Sequence, residues 1–388
     1  MKIAIYGGSF NPPHLGHVEA ARSVARELSP ELFFIIPDRE PPHKELAADS
    51  PTAEQRLELC RLAFAGIPGV TVSDRELLRE GKSYTYDTVL SLREEYPDDE
   101  LFLVVGTDML LSFEEWYHFR YLLENCTLAV LARAEDDGEL LREKAEQLRA
   151  DFGASVVRVP HEPVEVSSEL IRERLPLRAG ENYLSEAVYA KIISERYYGA
   201  KPELTWLREQ VLAYLDEYRV AHVAGCEDEA VRLAMHWGED PELAAEAGIL
   251  HDITKRASME EQLQLCEKYG IINDNSELNT HSLLHAKTGA ALARDLFGVD
   301  DTVYGAIRWH TTGKPDMTRF EKIIYLADYI EPTRDFEGIG ELRALAYEEL
   351  DRAVALGLEM TIEEIRRTGR EPYGDTLDAY AWYNAKEK

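Results

Sequence analysis

Two histidines, His14 and His17, stand three residues apart in the string YGGSFNPPHLGH near the amino terminus. This spacing lets both imidazoles face the same group, where they can donate hydrogen bonds to phosphoryl oxygens as negative charge develops. Gly7 and Gly8 lack a Cβ, so we expect the backbone to turn tightly there and to approach a ligand closely. The string therefore predicts a binding site for a phosphorylated ligand.

A strand and a helix must position this string. Residues 2–5 form a short apolar run suited to one buried strand, and residues 18–28 carry apolar side chains at helical spacing. We expect a strand, a glycine turn and a helix that begins near His17, whose N–H groups and positive dipole end favour phosphate. The string is neither the dinucleotide-binding Gly-x-Gly-x-x-Gly turn nor the Gly-Lys-Ser/Thr of a P-loop.

Strands and helices alternate through the rest of the first half. Apolar runs predict five further strands, at residues 32–37, 70–72, 101–105, 127–131 and 156–159. Helical spacing predicts helices at residues 55–64 and 87–95. Such alternation is typical of a parallel sheet with helices on both faces. Ligands of these folds gather at the carboxyl ends of the strands, and Asp108 and Arg133 both follow predicted strands.

The His-x-Gly-His pattern resembles the signature of the nucleotidylyltransferase superfamily. Further segments resemble bacterial nicotinate mononucleotide adenylyltransferase, in order along residues 1–198: REGKSYTYDT at 79–88, GTD at 106–108, Trp116, and VSSELIR at 166–172. The last segment departs from the family's Ile-Ser-Ser-Thr-x-Ile-Arg pattern at Val166 and Glu169. The resemblance implies a Rossmann-like α/β domain that transfers the adenylyl group of ATP to nicotinate mononucleotide, giving nicotinate adenine dinucleotide and pyrophosphate.

The resemblance also implies roles at the ATP phosphates. His14, His17 and Arg172 would contact the phosphates during catalysis, and Mg²⁺ would bridge them. Asp108 would hold the ribose hydroxyls, although capping of a helix is an alternative role for it. The other candidates for binding ATP or its co-substrate are Gly7, Gly8, Ser9, Phe10, Lys44, Arg133, Ser167 and Ser168.

The pyridine ring of the second substrate would be framed by Thr85 and Trp116, for which plain packing in the core is an equal alternative. The residues leave open whether nicotinate or nicotinamide mononucleotide is preferred. Two rival families are a cytidylyltransferase and a fragment of a class I aminoacyl-tRNA synthetase. The Ser-Tyr-Thr segment at 83–85 counts against the first, and the absence of a Lys-Met-Ser-Lys-Ser loop counts against the second.

A domain boundary is expected at residues 198–199, because Gly199 and Pro202 end a helical run and mark a connection. Beyond it, in residues 199–388, apolar residues recur at spacings of three and four residues, so this half is predicted to be all-helical. Asp328 lies inside an apolar helical stretch, and a carboxylate is costly to bury there unless it is paired or bound to metal.

The order of histidines and aspartates in this half resembles the HD superfamily of metal-dependent phosphohydrolases. The resemblance implies six metal ligands: His222, His251, Asp252, His285, His310 and Asp328. Asp252 would bridge two divalent cations and take part in catalysis. Imidazole and carboxylate ligands suit iron, manganese or zinc, and two such cations can activate water and hold a phosphoryl group.

Several segments narrow the resemblance to the YqeK-type HD hydrolases: HDITK at 251–255, HSLLHA at 281–286, WHTTG at 309–313 and ADYIEP at 327–332. These imply cleavage of diadenosine tetraphosphate to two ADP, with iron as the metal. Lys255, Arg334 and Arg343 are candidate phosphate contacts, and a solvated surface side chain is the alternative for Lys255. A different interpretation is that this half senses nucleotides without catalysis.

Composition limits the partners. A net charge of −30 disfavours nucleic acid as a partner. No apolar run reaches the ~20 residues of a membrane helix, and the first apolar run is too short for a signal peptide. Four scattered cysteines suit reduced thiols in a cytoplasm. We therefore expect a cytoplasmic bifunctional enzyme that binds ATP, nicotinate mononucleotide and dinucleoside polyphosphates. The sequence leaves a homo-oligomer open.

Overall fold

A computed structural model describes residues 1–42, 45–132, 138–271 and 281–386 of the 388-residue chain. The chain divides into two compact units, Met1–Lys201 and Pro202–Lys388. Within the described residues, no helix combines the length and the apolar character needed to cross a membrane. All four cysteines are buried and form no disulfide.

The first unit contains a six-stranded sheet in which every pair of neighbouring strands is parallel. The strands are β1 (Lys2–Gly8), β2 (Leu32–Pro37), β3 (Val70–Val72), β4 (Glu100–Gly106), β5 (Thr127–Leu131) and β6 (Val156–Arg158). Their order in the sheet is β3-β2-β1-β4-β5-β6. The direction of strand addition thus reverses between β1 and β4, which is where ligands bind in open α/β sheets.

Helices connect these strands and cover the sheet. They are α1 (Leu15–Leu28), α2 (Ala53–Phe64), α3 (Thr85–Glu95), α4 (Thr107–Leu111), α5 (Phe119–Asn125), α6 (Gly138–Phe152), α7 (Ser168–Arg174) and α8 (Glu186–Ser194). The central strands are buried on both faces: Ile5 and Leu103 on one face and Ala4 and Val104 on the other are at most 2% exposed. This burial explains why the strands read as continuous apolar runs.

The second unit is helical throughout its described residues. Its helices are α9 (Leu204–Leu212), α10 (Glu217–Trp237), α11 (Pro241–Leu250), α12 (Met259–Tyr269), α13 (His281–Phe297), α14 (Asp301–Trp309), α15 (Arg319–Ile330), α16 (Ile339–Glu348), α17 (Leu350–Arg367) and α18 (Gly374–Lys386). Side-chain caps start several of them; Asp216, for example, accepts a hydrogen bond from the backbone N–H of Arg219. Helix α10 packs against both α11 and α15.

Gly248 allows α10 and α11 to approach closely. A Cβ at this position would lie only 2.7 Å from the Cα of Glu227, so any larger residue would push the two helices apart. His222 lies on α10, and His251 caps the carboxyl end of α11. The close helix contact therefore brings two of the predicted metal ligands within reach of each other.

Candidate functional sites

The turn after β1 differs from the expectation in two ways. Gly7 and Gly8 are the last residues of the strand and neither has a positive φ, so the expected tight turn at the glycines is wrong. The left-handed residue is Phe10, with φ 42°, and its buried ring packs edge-on against Phe64 and His17. These aromatic contacts pack the turn, and its left-handed residue is not a glycine.

The two motif histidines are stacked. Their ring centroids are 3.7 Å apart, and the backbone N–H of His14 donates a hydrogen bond to Nδ1 of His17 over 3.2 Å. This bond places His17 in the first turn of α1, which begins at Leu15, two residues before the predicted start. Because Nδ1 of His17 accepts, the proton of its neutral ring is on Nε2, which can donate to a ligand.

Helix α7 is tied to the same turn. Arg172 donates to the backbone carbonyl of Asn11 over 2.6 Å, and Ser168 Oγ donates to the carbonyl of Pro12 over 2.9 Å. Ser167 caps the helix by accepting from the N–H of Leu170. Ser168 thus uses its hydroxyl proton on the protein, whereas Ser167 and the remaining N–H groups of Arg172 can still donate to a ligand.

A cavity of about 440 Å³ lies at the carboxyl ends of β1, β4 and β5. The predicted residues that line it are Gly7, Gly8, Ser9, Phe10, His14, His17, Ser167, Ser168 and Arg172. His161 also lines it, with Nδ1 3.1 Å from the hydroxyl oxygen of Ser23, and burial lowers the pKa of this imidazole. The sequence analysis missed His161, because nothing marks a lone histidine on a loop.

A second cavity, of about 320 Å³, lies on the other side of the turn. Thr85, the first residue of α3, and Trp116 both line it, and the Trp116 ring stacks on Phe113. Gly7, Gly8 and Ser9 line both cavities. The end of β1 and the turn after it therefore form a wall that the two cavities share.

Three of the predicted site residues lie away from these cavities or outside the residues that the structure describes. Asp108 is the second residue of α4, is exposed, and lines neither cavity. The N-cap residue of α4 is Gly106, and Asp108 stands in the first turn of this helix. Lys44 and Arg133 lie outside the described residues.

In the second unit, the six predicted metal ligands form one cluster. His222 Nε2 lies 3.3 Å from His251 Nε2 and 3.1 Å from Asp328 Oδ1. His285 Nε2 lies 3.2 Å from His310 Nε2, and both are within 3.6 Å of Asp252 Oδ1. Asp252 Oδ2 is 3.6 Å from His222 and from His251. Its two oxygens thus face opposite halves of the cluster.

Three of the histidines are oriented by their other ring nitrogen. Nδ1 of His251 donates to the carbonyl of Gly248 over 2.7 Å, and Nδ1 of His310 donates to the carbonyl of Ile307 over 2.6 Å. Nδ1 of His222 lies 3.0 Å from the carboxylate of Glu331. Since carbonyl and carboxylate oxygens only accept, Nδ1 carries a proton and Nε2 is left to bind a cation.

The cluster holds side-chain cations as well. Lys255 Nζ lies 3.1 Å from His285 Nε2 and 3.7 Å from Asp252 Oδ1. Arg219 donates to Asp252 Oδ2 over 2.6 Å, and Arg334 donates to Asp328 Oδ1 over 2.9 Å. Arg343, in contrast, donates only to backbone carbonyls of residues 330, 331 and 334 in its described contacts.

Burial sets the protonation of the cluster. It lowers the pKa of His251 to about 4 and that of His285 to about 3, so both imidazoles are neutral at neutral pH. Burial alone would raise the pKa of Asp252, but His251 and Lys255 hold it well below its usual value. For His222, burial alone would lower the pKa, but the carboxylates of Asp328, Glu331 and Asp252 together raise it.

This donor set fits a divalent metal ion. Two overlapping groups, His222–His251–Asp328 and His251–Asp252–His310, have ligand atoms within 4.8 Å of one another. Imidazole nitrogens and ionised carboxylates face one buried space, and this mixed set of donors suits iron, manganese or zinc. His285 and Asp252 extend the set toward a second cation.

Comparison with known proteins covers both halves. Residues 5–174 match the cytidylyltransferase-like family, and residues 219–333 match the HD domain. A probable nicotinate-nucleotide adenylyltransferase of Carboxydothermus hydrogenoformans is 35% identical over 198 residues, which is 51% of this chain and 98% of that protein. A protein of the same description from Geobacter sulfurreducens is 35% identical over 213 residues and is 98% covered.

The chain belongs to the nicotinate-nucleotide adenylyltransferase family. In this member an HD domain follows the adenylyltransferase-like half, so the expected fusion is confirmed. A solved structure described as a predicted HD superfamily hydrolase involved in NAD metabolism, from Clostridium acetobutylicum, is 35% identical. It covers 48% of this chain and 100% of that chain, with a TM-score of 0.47.

Sequence reasoning missed four side chains that position the sites of this adenylyltransferase family member. Arg56, 1% exposed, donates to the carbonyl of Ser9 over 2.6 Å. Glu76 is buried beside the second cavity. Glu331 and Arg219 bond to the metal-ligand candidates. A single buried charge leaves no periodic signal in a helix or a loop, although Glu331 stands inside the segment 327–332 that carried the resemblance.

Proposed function

We propose that the first unit transfers the adenylyl group of ATP to nicotinate mononucleotide, giving nicotinate adenine dinucleotide and pyrophosphate. The observation that carries this proposal is the pair of cavities that share Gly7, Gly8 and Ser9. The similarity to probable nicotinate-nucleotide adenylyltransferases over 98% of their length supports the choice of substrates. The cavity that contains the histidines would hold ATP, and the cavity beside Trp116 would hold the mononucleotide.

The chemistry needs no nucleophilic side chain. A phosphate oxygen of the mononucleotide attacks the α-phosphorus of ATP, and the bond to the bridging oxygen of pyrophosphate breaks. His17 Nε2–H and Arg172 would donate to oxygens that gain negative charge, with the stacked His14 beside them. Mg²⁺ would supply further positive charge to the phosphates. Catalysis is then mainly positioning and charge neutralisation.

In this proposal Ser167, Phe10 and the glycines shape the ATP cavity, and Thr85 and Trp116 frame the pyridine ring. Ser168 positions α7 through its bond to Pro12. Asp108 keeps its proposed role at the ATP ribose, which an exposed carboxylate at the end of β4 can fill only if the ribose extends out of the cavity. Lys44 and Arg133 keep their proposed roles at phosphate and ATP.

A test of the first activity uses the full chain with ATP, Mg²⁺ and either nicotinate or nicotinamide mononucleotide. We expect the acid to be preferred, with one pyrophosphate released per dinucleotide. His17→Ala should lower kcat by roughly 10²- to 10³-fold, as removal of one such donor does, whereas His236→Gln in the second unit should change nothing. Absence of dinucleotide with either co-substrate would reject the proposal.

We also propose that the second unit is a metal-dependent phosphohydrolase that cleaves diadenosine tetraphosphate to two ADP. The buried cluster of four imidazoles and two carboxylates carries the metal-dependent part of this proposal. His222, His251, Asp252 and Asp328 would hold one divalent cation, and Asp252, His285 and His310 a second. Iron is the metal we expect, with manganese or zinc as alternatives.

The protein's own residues then have distinct tasks. Asp252, whose two carboxylate oxygens face opposite halves of the cluster, would bind both cations, and Glu331 would orient His222. Lys255 and Arg334, which now contact metal-ligand carboxylates and His285, would turn to the phosphates of the substrate. Bound cations would supply positive charge at the phosphoryl group and make water a better nucleophile.

The second activity is tested on the full chain loaded separately with iron, manganese or zinc. We expect bound metal by elemental analysis, symmetrical products from diadenosine tetraphosphate, and loss of both in Asp252→Asn, while adenylyl transfer is kept. The sensor interpretation predicts something different: bound nucleotide without turnover, and a change in adenylyl transfer when the dinucleotide is added. Absence of both bound metal and turnover would reject the hydrolase.

A further inference from the structure

Asn11 connects the turn after β1 to other segments of the first unit through hydrogen bonds. It is 2% exposed, and its backbone carbonyl, side-chain amide nitrogen and side-chain oxygen all have hydrogen-bond partners. Its backbone carbonyl accepts from Arg172, and its side-chain amide donates to Ser50 Oγ over 2.8 Å. Its side-chain carbonyl accepts from the hydroxyl of Tyr198 over 2.7 Å. Four separate segments of the first unit thus meet at one asparagine.

Tyr198 comes from the far end of the first unit, 187 residues from Asn11 in sequence. It is 3% exposed, and its backbone has a left-handed φ of 60°, which is unusual for an aromatic residue. Burial raises the pKa of its hydroxyl, so this group stays protonated and donates. The left-handed backbone at Tyr198 therefore occurs where its hydroxyl donates to Asn11 in the turn after β1.

The turn needs such support, because Phe10 beside Asn11 has the left-handed φ of 42°. Residues with this conformation persist only where the surroundings over-determine them, and they concentrate at functional sites. On the other side of Phe10, the buried guanidinium of Arg56 holds the carbonyl of Ser9. Side chains from elsewhere thus fix the backbone immediately before and after the strained residue.

We propose that Tyr198 is a positioning residue for adenylyl transfer, acting through Asn11 on the guanidinium of Arg172 and on the motif turn. This inference rests on the proposed function of the first unit. Without the hydroxyl, the amide of Asn11 loses a fixed orientation and its buried carbonyl oxygen is left unsatisfied. The acceptor of Arg172 then shifts, and the donors that meet charge in the transition state lose alignment. Ground-state binding of ATP uses the same cavity but depends less on that alignment.

The test compares Tyr198→Phe with Tyr197→Phe in the full chain. Both remove one hydroxyl from adjacent residues of the same turn. We expect Tyr198→Phe to lower kcat roughly 10-fold, about the rate equivalent of one buried hydrogen bond, with the KM for ATP within about twofold. Tyr197→Phe should match the wild type. The melting temperature of each variant separates lost alignment from lost folded protein.

Ser50→Ala provides an independent arm, because it removes another partner of Asn11 without touching the end of the unit. Like Tyr198→Phe, it should lower kcat while leaving the KM for ATP nearly unchanged. Wild-type kcat in folded Tyr198→Phe would overturn the proposal, whatever Ser50→Ala does. A fall in kcat that is equally large in Tyr197→Phe would also overturn it. So would a fall in kcat of Tyr198→Phe that is fully explained by a smaller fraction of folded protein. If Tyr198→Phe does not fold, Ser50→Ala decides. An inactive wild type would instead reject the proposed function.

Discussion

Glu331 Oε1 lies 3.0 Å from Nδ1 of His222, and this glutamate is completely buried. Thr333 donates to the same carboxylate through its backbone N–H and its hydroxyl. Burial alone would raise the pKa of Glu331, but Thr333 and His222 lower it, so the group is ionised. A buried negative charge behind the imidazole makes Nε2 of His222 a stronger ligand and fixes the orientation of its ring.

We therefore expect Glu331→Gln to weaken metal binding about 10- to 100-fold, the usual cost of losing such an outer partner. The neutral amide makes His222 less basic and cannot accept from Thr333 and His222 as the carboxylate does. Titration of the full chain against a chelating dye measures the affinity. Glu341→Gln, at an exposed position of α16, is the control. Equal affinities in the two variants would show that Glu331 only fills space.

The cysteines allow the stability of the two units to be followed separately. Cys60 and Cys126 are buried in the first unit, and Cys226 and Cys266 are buried in the second. Burial raises the pKa of Cys126 to about 12 and that of Cys226 well above its usual value, so reactive thiolate is scarce in the folded chain. We expect all four to react with a disulfide reagent only when their unit opens.

Cys226 follows His222 by one helical turn on α10, so metal bound at His222 should hold this region closed. A cation at 100 times its Kd stabilises the folded state by about 2.7 kcal/mol, which slows opening-limited labelling about 100-fold. Mass spectrometry of isotope-labelled thiols should show this protection at Cys226 and Cys266 only. Equal protection at Cys60 and Cys126 would mean that the cation does not bind selectively in the second unit.

Much of this architecture could be predicted from local pattern. The strands at 32–37 and 127–131 are predicted with the bounds that the structure has, because a strand buried on both faces is a continuous apolar run. The bounds of the edge strand at 70–72 are also as predicted, although its central residue, Thr71, is exposed. The start of α1 was displaced by two residues. Its N-cap residue is His14, held by the ring of His17, and histidine is not a residue that signals a helix start.

The candidate sites were predictable where chemistry requires a rare residue type. Six histidines and aspartates of the second half lie together, although they are distributed over more than 100 residues of sequence. Arg56 and Tyr198 could not be found, because their partners are backbone carbonyls or residues far along the chain. Such contacts depend on the tertiary fold, and the sequence carries no spacing that indicates them.

Gly16, in the first turn of α1, should not tolerate a side chain. A Cβ there would lie 3.1 Å from the ring of His14 and 3.2 Å from the carbonyl of Val164. Glycine to alanine inside a helix normally stabilises by roughly 0.5–1 kcal/mol, but here the histidine ring must move. We expect Gly16→Ala to lower adenylyl transfer at least about 10-fold, the rate equivalent of 1.36 kcal/mol.

The matched control is Gly66→Ala in the same unit, where a Cβ would have no neighbour within 4 Å. Both variants add one methyl group to a glycine. Steady-state kinetics should therefore show the roughly 10-fold fall in adenylyl transfer in Gly16→Ala and wild-type rates in Gly66→Ala. If Gly16→Ala keeps wild-type kcat, the stacked position of His14 is not required for the reaction, and His17 with Arg172 would be sufficient.

Glu76 makes the stability of the first unit depend on pH. It is 6% exposed, and burial raises its pKa despite a hydrogen bond of 2.6 Å from the hydroxyl of Thr88 and the nearby guanidinium of Arg79. A carboxyl group whose pKa is raised on folding binds its proton more tightly in the folded chain. Its contribution to stability is therefore present below the usual glutamate pKa and is lost as pH rises through the raised value. We expect Glu76→Gln, which has no proton to lose, to gain thermal stability relative to the wild type as pH rises from about 4.5 to 7.5.

Calorimetry of the full chain across this range measures the difference, with Glu80→Gln at an exposed position as the control. A difference in melting temperature that does not change with pH would show that the carboxyl group titrates alike in the folded and unfolded chain.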